Sequence, residues 1–168
     1  FQPNPLVPII RVYPGLHALT AMLATLSGLN TFQLAIALLV ALHGAALLGV
    51  FAVAEGTGAS AQVAALAALL YSINPGFLYF DAQYAYESLA IVLFVWTLVA
   101  LVHLEAAAGR SERIGWLCVA LVTGGACIIT HHVTSYILLA TTLLISGIAV
   151  ARYRHGEGRR DVALALSA

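Results

Sequence analysis

Long apolar runs alternate with short polar breaks along this chain, and the breaks set the elements. Residues 1–14 hold Pro3, Pro5, Pro8 and Pro14, which favours extended chain or loop. Leu16 to Leu26 reads as a short helix, too short to cross a bilayer and so interfacial or re-entrant. Gly28-Leu29-Asn30 ends it, with Thr31 placed to cap the next helix. Residues 32–54 make a full span, and residues 55–60 a turn. A shorter apolar helix over 61–73 stops at Asn74-Pro75-Gly76, where irregular backbone is expected. Further spans follow over 85–104, 114–130 and 136–151. The pattern predicts an all-α, polytopic transmembrane helix bundle of about five spans plus a short interfacial helix. Residues 1–30 form a loop and interfacial helix, 31–151 the transmembrane bundle, and 152–168 a basic loop with the start of a further span.

Composition strengthens this reading. The 168 residues are 62% hydrophobic and 8% charged, against roughly 45–50% and about 25% in soluble domains. That excludes an ordinary soluble domain, a disordered segment and a nucleic-acid binder, and makes membrane lipid the surrounding partner. The seven basic residues are all arginines and balance seven acids. Short cytoplasmic loops collect basic residues. Arg110 and Arg113 mark one such loop, and Arg152, Arg154, Arg159 and Arg160 another. The 55–60 turn then lies inside as well. The Pro-rich start, Asn74–Ser88 and His131–Ser135 face the extracytoplasmic side, with Arg11 as the one basic exception. Phe1 in place of Met, and an apolar run cut short at Ala168, suggest a piece of a larger membrane protein. Cys118 and Cys127 lie about 13 Å apart on a helix, too far for a disulfide, and read as small buried hydrophobes.

This sorting gathers the reactive side chains on one face. Asp81 either caps a helix starting near Ala82 or serves as a catalytic or metal-binding carboxylate, a divalent cation being the one cofactor the residues suggest. Glu87, a turn and a half into that helix, is either settled by the helix N-terminus or catalytic. Gln83 shares a face with Glu87 at a spacing of four, and only unwound chain would bring Asp81 to the same point. His131 and His132 diverge by about 100° on a helix and meet in one pocket only where the helix has ended. His131 shares a face with Thr134 and Ser135, a set able to bind phosphate or move protons. Tyr79, Tyr84 and Tyr86 read as an interfacial aromatic belt or as substrate binders. Arg11 with Tyr13 could meet a lipid phosphate. His43 reads as an interhelical hydrogen-bonding group, Gly124-Gly125 as a close helix contact, and His103 with Glu105 as a solvated helix end.

Three segments carry a resemblance. Tyr13-Pro-Gly-Leu-His17 before a short helix is one. Asn74-Pro-Gly-Phe-Leu-Tyr-Phe-Asp-Ala-Gln-Tyr-Ala-Tyr-Glu87 is the second, and Thr130-His-His-Val-Thr-Ser135 two spans on is the third. Together, over residues 8–150, they resemble the large actinobacterial-type members of the GT-C superfamily of membrane glycosyltransferases. The resemblance implies a bacterial cell-membrane enzyme that transfers sugar from a polyprenyl-phosphate carrier at the outer face. It implies catalytic roles for Asp81 and Glu87 and substrate contacts from Arg11, Tyr13, His17, Gln83, Tyr84, His131, His132, Thr134 and Ser135. In that superfamily the catalytic acid commonly lies in a first outer loop, which would precede Phe1. A non-catalytic membrane subunit, associated with other subunits or with the rest of a longer chain, is the alternative, as is a transporter-like bundle. A transporter would keep its polar groups near the midplane, whereas here they crowd one surface.

Overall fold

The computed structural model describes residues 14–81 and 83–154, without the side chains of residues 80, 81 and 152–154. Arg11 and Tyr13 therefore lie outside the described residues. Six α-helices follow in order: α1 (Gly15–Ser27), α2 (Thr31–Gly56), α3 (Ala61–Ser72), α4 (Tyr86–Ala106), α5 (Arg110–Thr130) and α6 (His132–Arg154). The described residues include no strand. Among the described residues, four helices are long and apolar enough to cross a membrane: α2, α4, α5 and α6. The 12 residues of α3 reach only about 18 Å, short of a hydrocarbon core of about 30 Å. Among the described residues, the expected spans are thus four long helices and the shorter α3, with α1 as the other short apolar helix.

Local chemistry explains where the helices stop. Gly28 adopts the left-handed conformation at φ 70°, and its N–H reaches Ala24 O, closing α1. The α2 cap is Asn30 rather than the expected Thr31: Asn30 Oδ1 accepts from the Phe32 N–H at 2.9 Å. Pro75 bars the continuation of α3, and the backbone runs through a π turn over Phe77–Asp81 before α4 begins. That places Asp81 four residues before the Ala85 cap of α4, so the reading of Asp81 as an N-cap is overturned. Helix α5 begins at Arg110, so the basic turn expected over 109–113 shrinks to Ala107–Gly109.

The chain divides into two compact units, 1–135 and 136–168. The first contains α1–α5 and the opening turn of α6; the second contains the rest of α6. In the first unit α2 and α4 run parallel. Trp96 Nε1 donates to Ala45 O at 3.0 Å, Gly49 meets Val95, and Gly56 meets Val102. A Cβ on Gly49 would fall 2.5 Å from Val95 Cγ1, and one on Gly56 would fall 2.8 Å from Val102 Cγ1. Small residues admit this close approach because helices in lipid associate through packing rather than through the hydrophobic effect.

Helices α4 and α5 run antiparallel on a regular register. His103 stacks on Trp116 with centroids 4.5 Å apart. Thr97 Oγ1 bonds Thr123 Oγ1 at 2.9 Å, and Cys127 Sγ reaches Ala90 O at 3.7 Å. Extending that register by one turn brings Glu87 beside His131. The core of this unit centres on Leu16, Leu42, Ala46, Phe77 and Val92.

Four local expectations change. His43 Nδ1 donates to Leu39 O of its own helix at 2.8 Å and packs its ring on Phe77, so its hydrogen bond is not interhelical. A Cβ on Gly125 would meet open space, so only Gly124 of that pair is buried. His103 is half-buried against Trp116 rather than solvated. Both cysteines are free; Cys127 is buried as expected, whereas Cys118 is exposed.

Candidate functional site

The polar site is built where α1 and α4 begin and α5 ends. Helix α5 stops at Thr130, and His131 takes extended angles, φ −156° and ψ 121°. The break lasts a single residue, because α6 starts at His132. The stretch His131–Ser135, expected as an outer connection, is therefore one cap residue and a first helical turn. Ending the helix also turns both imidazoles toward one region, with centroids 5.3 Å apart and edge to face. That is the condition under which the two histidines were expected to meet.

His131 is buried and densely contacted. Its Nδ1 bonds Thr134 Oγ1 at 2.7 Å. Its Nε2 lies 3.9 Å from Glu87 Oε1, and the Tyr86 ring packs 4.9 Å away. Ser135 Oγ donates to His131 O at 2.7 Å and tightens the break. Burial pushes the His131 pKa below its ordinary value; Glu87 opposes that shift and His132 reinforces it. The imidazole is thus held toward its neutral form.

Glu87 sits in the first turn of α4 rather than a turn and a half in. There the positive end of the helix favours its charge. The carboxylate is the more open partner of the pair, with 29% of its side chain exposed against 9% for His131. Gln83 lies before the helix, so it does not share a helical face with Glu87. Its carbonyl accepts from the buried Ser88 hydroxyl at 2.7 Å, and its side chain is exposed. The side chain of Asp81 lies outside the described residues, and so does any metal role for it. Among the described residues no group of three His, Cys, Asp or Glu side chains could hold a metal ion.

Helix α1 brings the third wall. Gly15 packs so closely on Thr130 that a Cβ would lie 2.8 Å from its hydroxyl oxygen. His17 meets the edge of the Tyr84 ring at 5.2 Å, and burial pushes its pKa below the ordinary value. Its Nδ1 is buried without a hydrogen-bond partner among the described residues. The Tyr84 hydroxyl bonds Thr20 Oγ1 and reaches Leu16 O at 3.4 Å. Tyr84 therefore anchors α1 and is not a free interfacial ring. Tyr79, by contrast, is 65% exposed, as a belt residue would be.

Between α1 and α2 lies a cavity of about 780 Å³. His17, Thr20 and Tyr84 line it, as do apolar side chains such as Ala24, Ile36 and Leu39. Sequence reasoning missed this cavity and missed Thr20 and Gly15 as site-forming residues. A signal existed for the cavity: Ala21, Ala24 and Thr25 fall on one face of α1 at helical spacing. The chain matches no family model, no curated protein and no solved structure.

Proposed function

We propose that this chain is part of an integral membrane glycosyltransferase that takes its sugar from a polyprenyl-phosphate-linked donor, with the His131 end of the bundle on the extracytoplasmic face. The observation that carries the reading is the Glu87 carboxylate held 3.9 Å from the His131 imidazole at one end of an apolar bundle. A carboxylate there is a proton acceptor at headgroup depth, where a lipid-linked donor presents its phosphate. The placement of Arg110 and Arg113 at the opposite end of α5 supports the sidedness. The apolar cavity beside α1 suits an isoprenoid chain.

In this reading an acceptor hydroxyl gives its proton to Glu87 as its oxygen bonds the anomeric carbon. The carbon–oxygen bond to the lipid phosphate breaks, and the phosphate leaves with the electron pair. Asp81 is the second carboxylate assigned to the site. The test uses the full-length protein in proteoliposomes with a radiolabelled polyprenyl-phosphate sugar. Transfer is expected, and Glu87→Ala combined with Asp81→Ala should lower it by about 100-fold or more. Full activity in the double variant would remove the catalytic role. Absence of transfer from every polyprenyl-linked sugar offered would remove the glycosyltransferase reading.

A further inference from the structure

We propose that Glu87, His131 and Thr134 form a subsite for an alcohol hydroxyl, in which His131 carries its proton on Nε2 and the bound oxygen bridges that N–H and the Glu87 carboxylate. The proposal deepens the transferase reading by assigning this pair to the acceptor hydroxyl rather than to the donor phosphate.

The geometry points to it in three steps. First, the tautomer. A neutral imidazole has one N–H and one lone pair. Nε2 faces a carboxylate oxygen at 3.9 Å, and Nδ1 faces a hydroxyl at 2.7 Å. A carboxylate favours an N–H over a lone pair, whereas a hydroxyl can serve either nitrogen. The proton therefore sits on Nε2, and Thr134 donates its own proton to Nδ1.

Second, the gap. At 3.9 Å the Nε2–H and Glu87 do not hydrogen-bond directly. Each keeps bonding capacity, one as donor and one as acceptor. An oxygen about 2.8 Å from both atoms would complete both bonds, approached from the side on which the Glu87 side chain is 29% exposed.

Third, the chemistry of the occupant. The bridging atom must accept from Nε2–H and donate to Glu87. A hydroxyl does both. The phosphodiester of a lipid-linked donor carries negative charge and has no proton for the carboxylate, so it meets repulsion from Glu87. Among the described residues, the other titratable groups facing His131 are His132 and Tyr86.

The test places ¹⁵N-histidine-labelled full-length protein in lipid nanodiscs and follows the His131 ring nitrogens by NMR, with methyl β-glucoside and dimethyl phosphate as probes. The wild type should show the Nε2–H form. Methyl β-glucoside should shift Nε2 saturably, and dimethyl phosphate should not. Glu87→Gln should weaken glucoside binding by about tenfold or more and mix the two tautomers, because an amide can accept or donate. Cys118→Ser, at an exposed position of α5 outside the site, should leave tautomer and binding as in the wild type, whereas Thr134→Val, which removes the hydroxyl facing Nδ1, should mix the two tautomers. An Nδ1–H form in the wild type would overturn the proposal, as would a saturable response to dimethyl phosphate without one to glucoside. Glucoside binding without any sugar transfer would uphold the subsite while removing the transferase reading.

Discussion

Gly49 sits at the closest approach of α2 and α4, and replacing it tests whether that seam holds the bundle together. A Cβ there would lie 2.5 Å from Val95 Cγ1 and 3.4 Å from the Trp96 indole nitrogen. The first contact forces a shift of the backbone or of Val95, and a backbone shift here strains the neighbouring hydrogen bond from Trp96 to Ala45 O. Overpacking of this kind costs about 1–3 kcal/mol. Gly44, five residues earlier on the same helix, has open space where its Cβ would go. Alanine gains up to about 1 kcal/mol of helix propensity over glycine at either position. That contribution cancels between the two variants, so their difference reads the seam alone. Gly49→Ala should therefore be less stable than Gly44→Ala by about 1–3 kcal/mol. Denaturant unfolding in detergent micelles, followed by tryptophan fluorescence, measures it; Trp96 lies on the seam. Equal stability for the two variants, or a more stable Gly49→Ala, would refute the packing argument.

Other consequences follow from the same contacts. His131 and His17 both have pKa values pushed below 6.5 by burial, so the folded state binds fewer protons than the unfolded one as the pH drops past that value. Their contribution is complete above pH 6.5 and is lost as the pH falls through the folded values. Unfolding midpoints between pH 8 and 5 should drop on acidification, and His131→Gln should flatten the slope; a rise on acidification would contradict it. Tyr84→Phe deletes the hydroxyl that holds Thr20, and should cost about 0.5–1.5 kcal/mol of stability in the same unfolding assay. Thr123→Val should cost a similar amount by breaking the Thr97–Thr123 bond across α4 and α5. No loss in either variant would mean that these hydroxyls contribute nothing net.

The helices were legible because their signals are local. Gly28 supplies the left-handed cap of α1, Pro75 ends α3, and long apolar stretches mark the four membrane-length helices. The errors were local competitions. Asn30, rather than Thr31, accepted the free N–H of α2. Around Asp81 the chain preferred a π turn to an early helix start, so both the cap reading of Asp81 and the shared helical face of Gln83 and Glu87 lapsed. The site was half legible. Glu87, His131, His132 and Thr134 stood out as polar groups among apolar runs. Their pairing did not, because Glu87 and His131 come from helices whose register is set by contacts far along the seam.

The sequence by itself determined that this is a membrane helix bundle with its polar groups collected between particular spans. Apolar length, arginine placement and helix-stopping residues are one-dimensional properties, and each acts within a few residues. Tertiary structure decided which polar groups meet. The antiparallel register of α4 on α5, from the His103–Trp116 stack to the Cys127–Ala90 contact, delivers Glu87 to His131. The one-residue break at His131 turns two adjacent imidazoles toward the same region. Gly15 against Thr130, and Tyr84 against Thr20, fold α1 beside the site and leave the cavity between α1 and α2. Such contacts depend on how side chains from distant segments fill shared space, and no local pattern of apolar and polar residues encodes that.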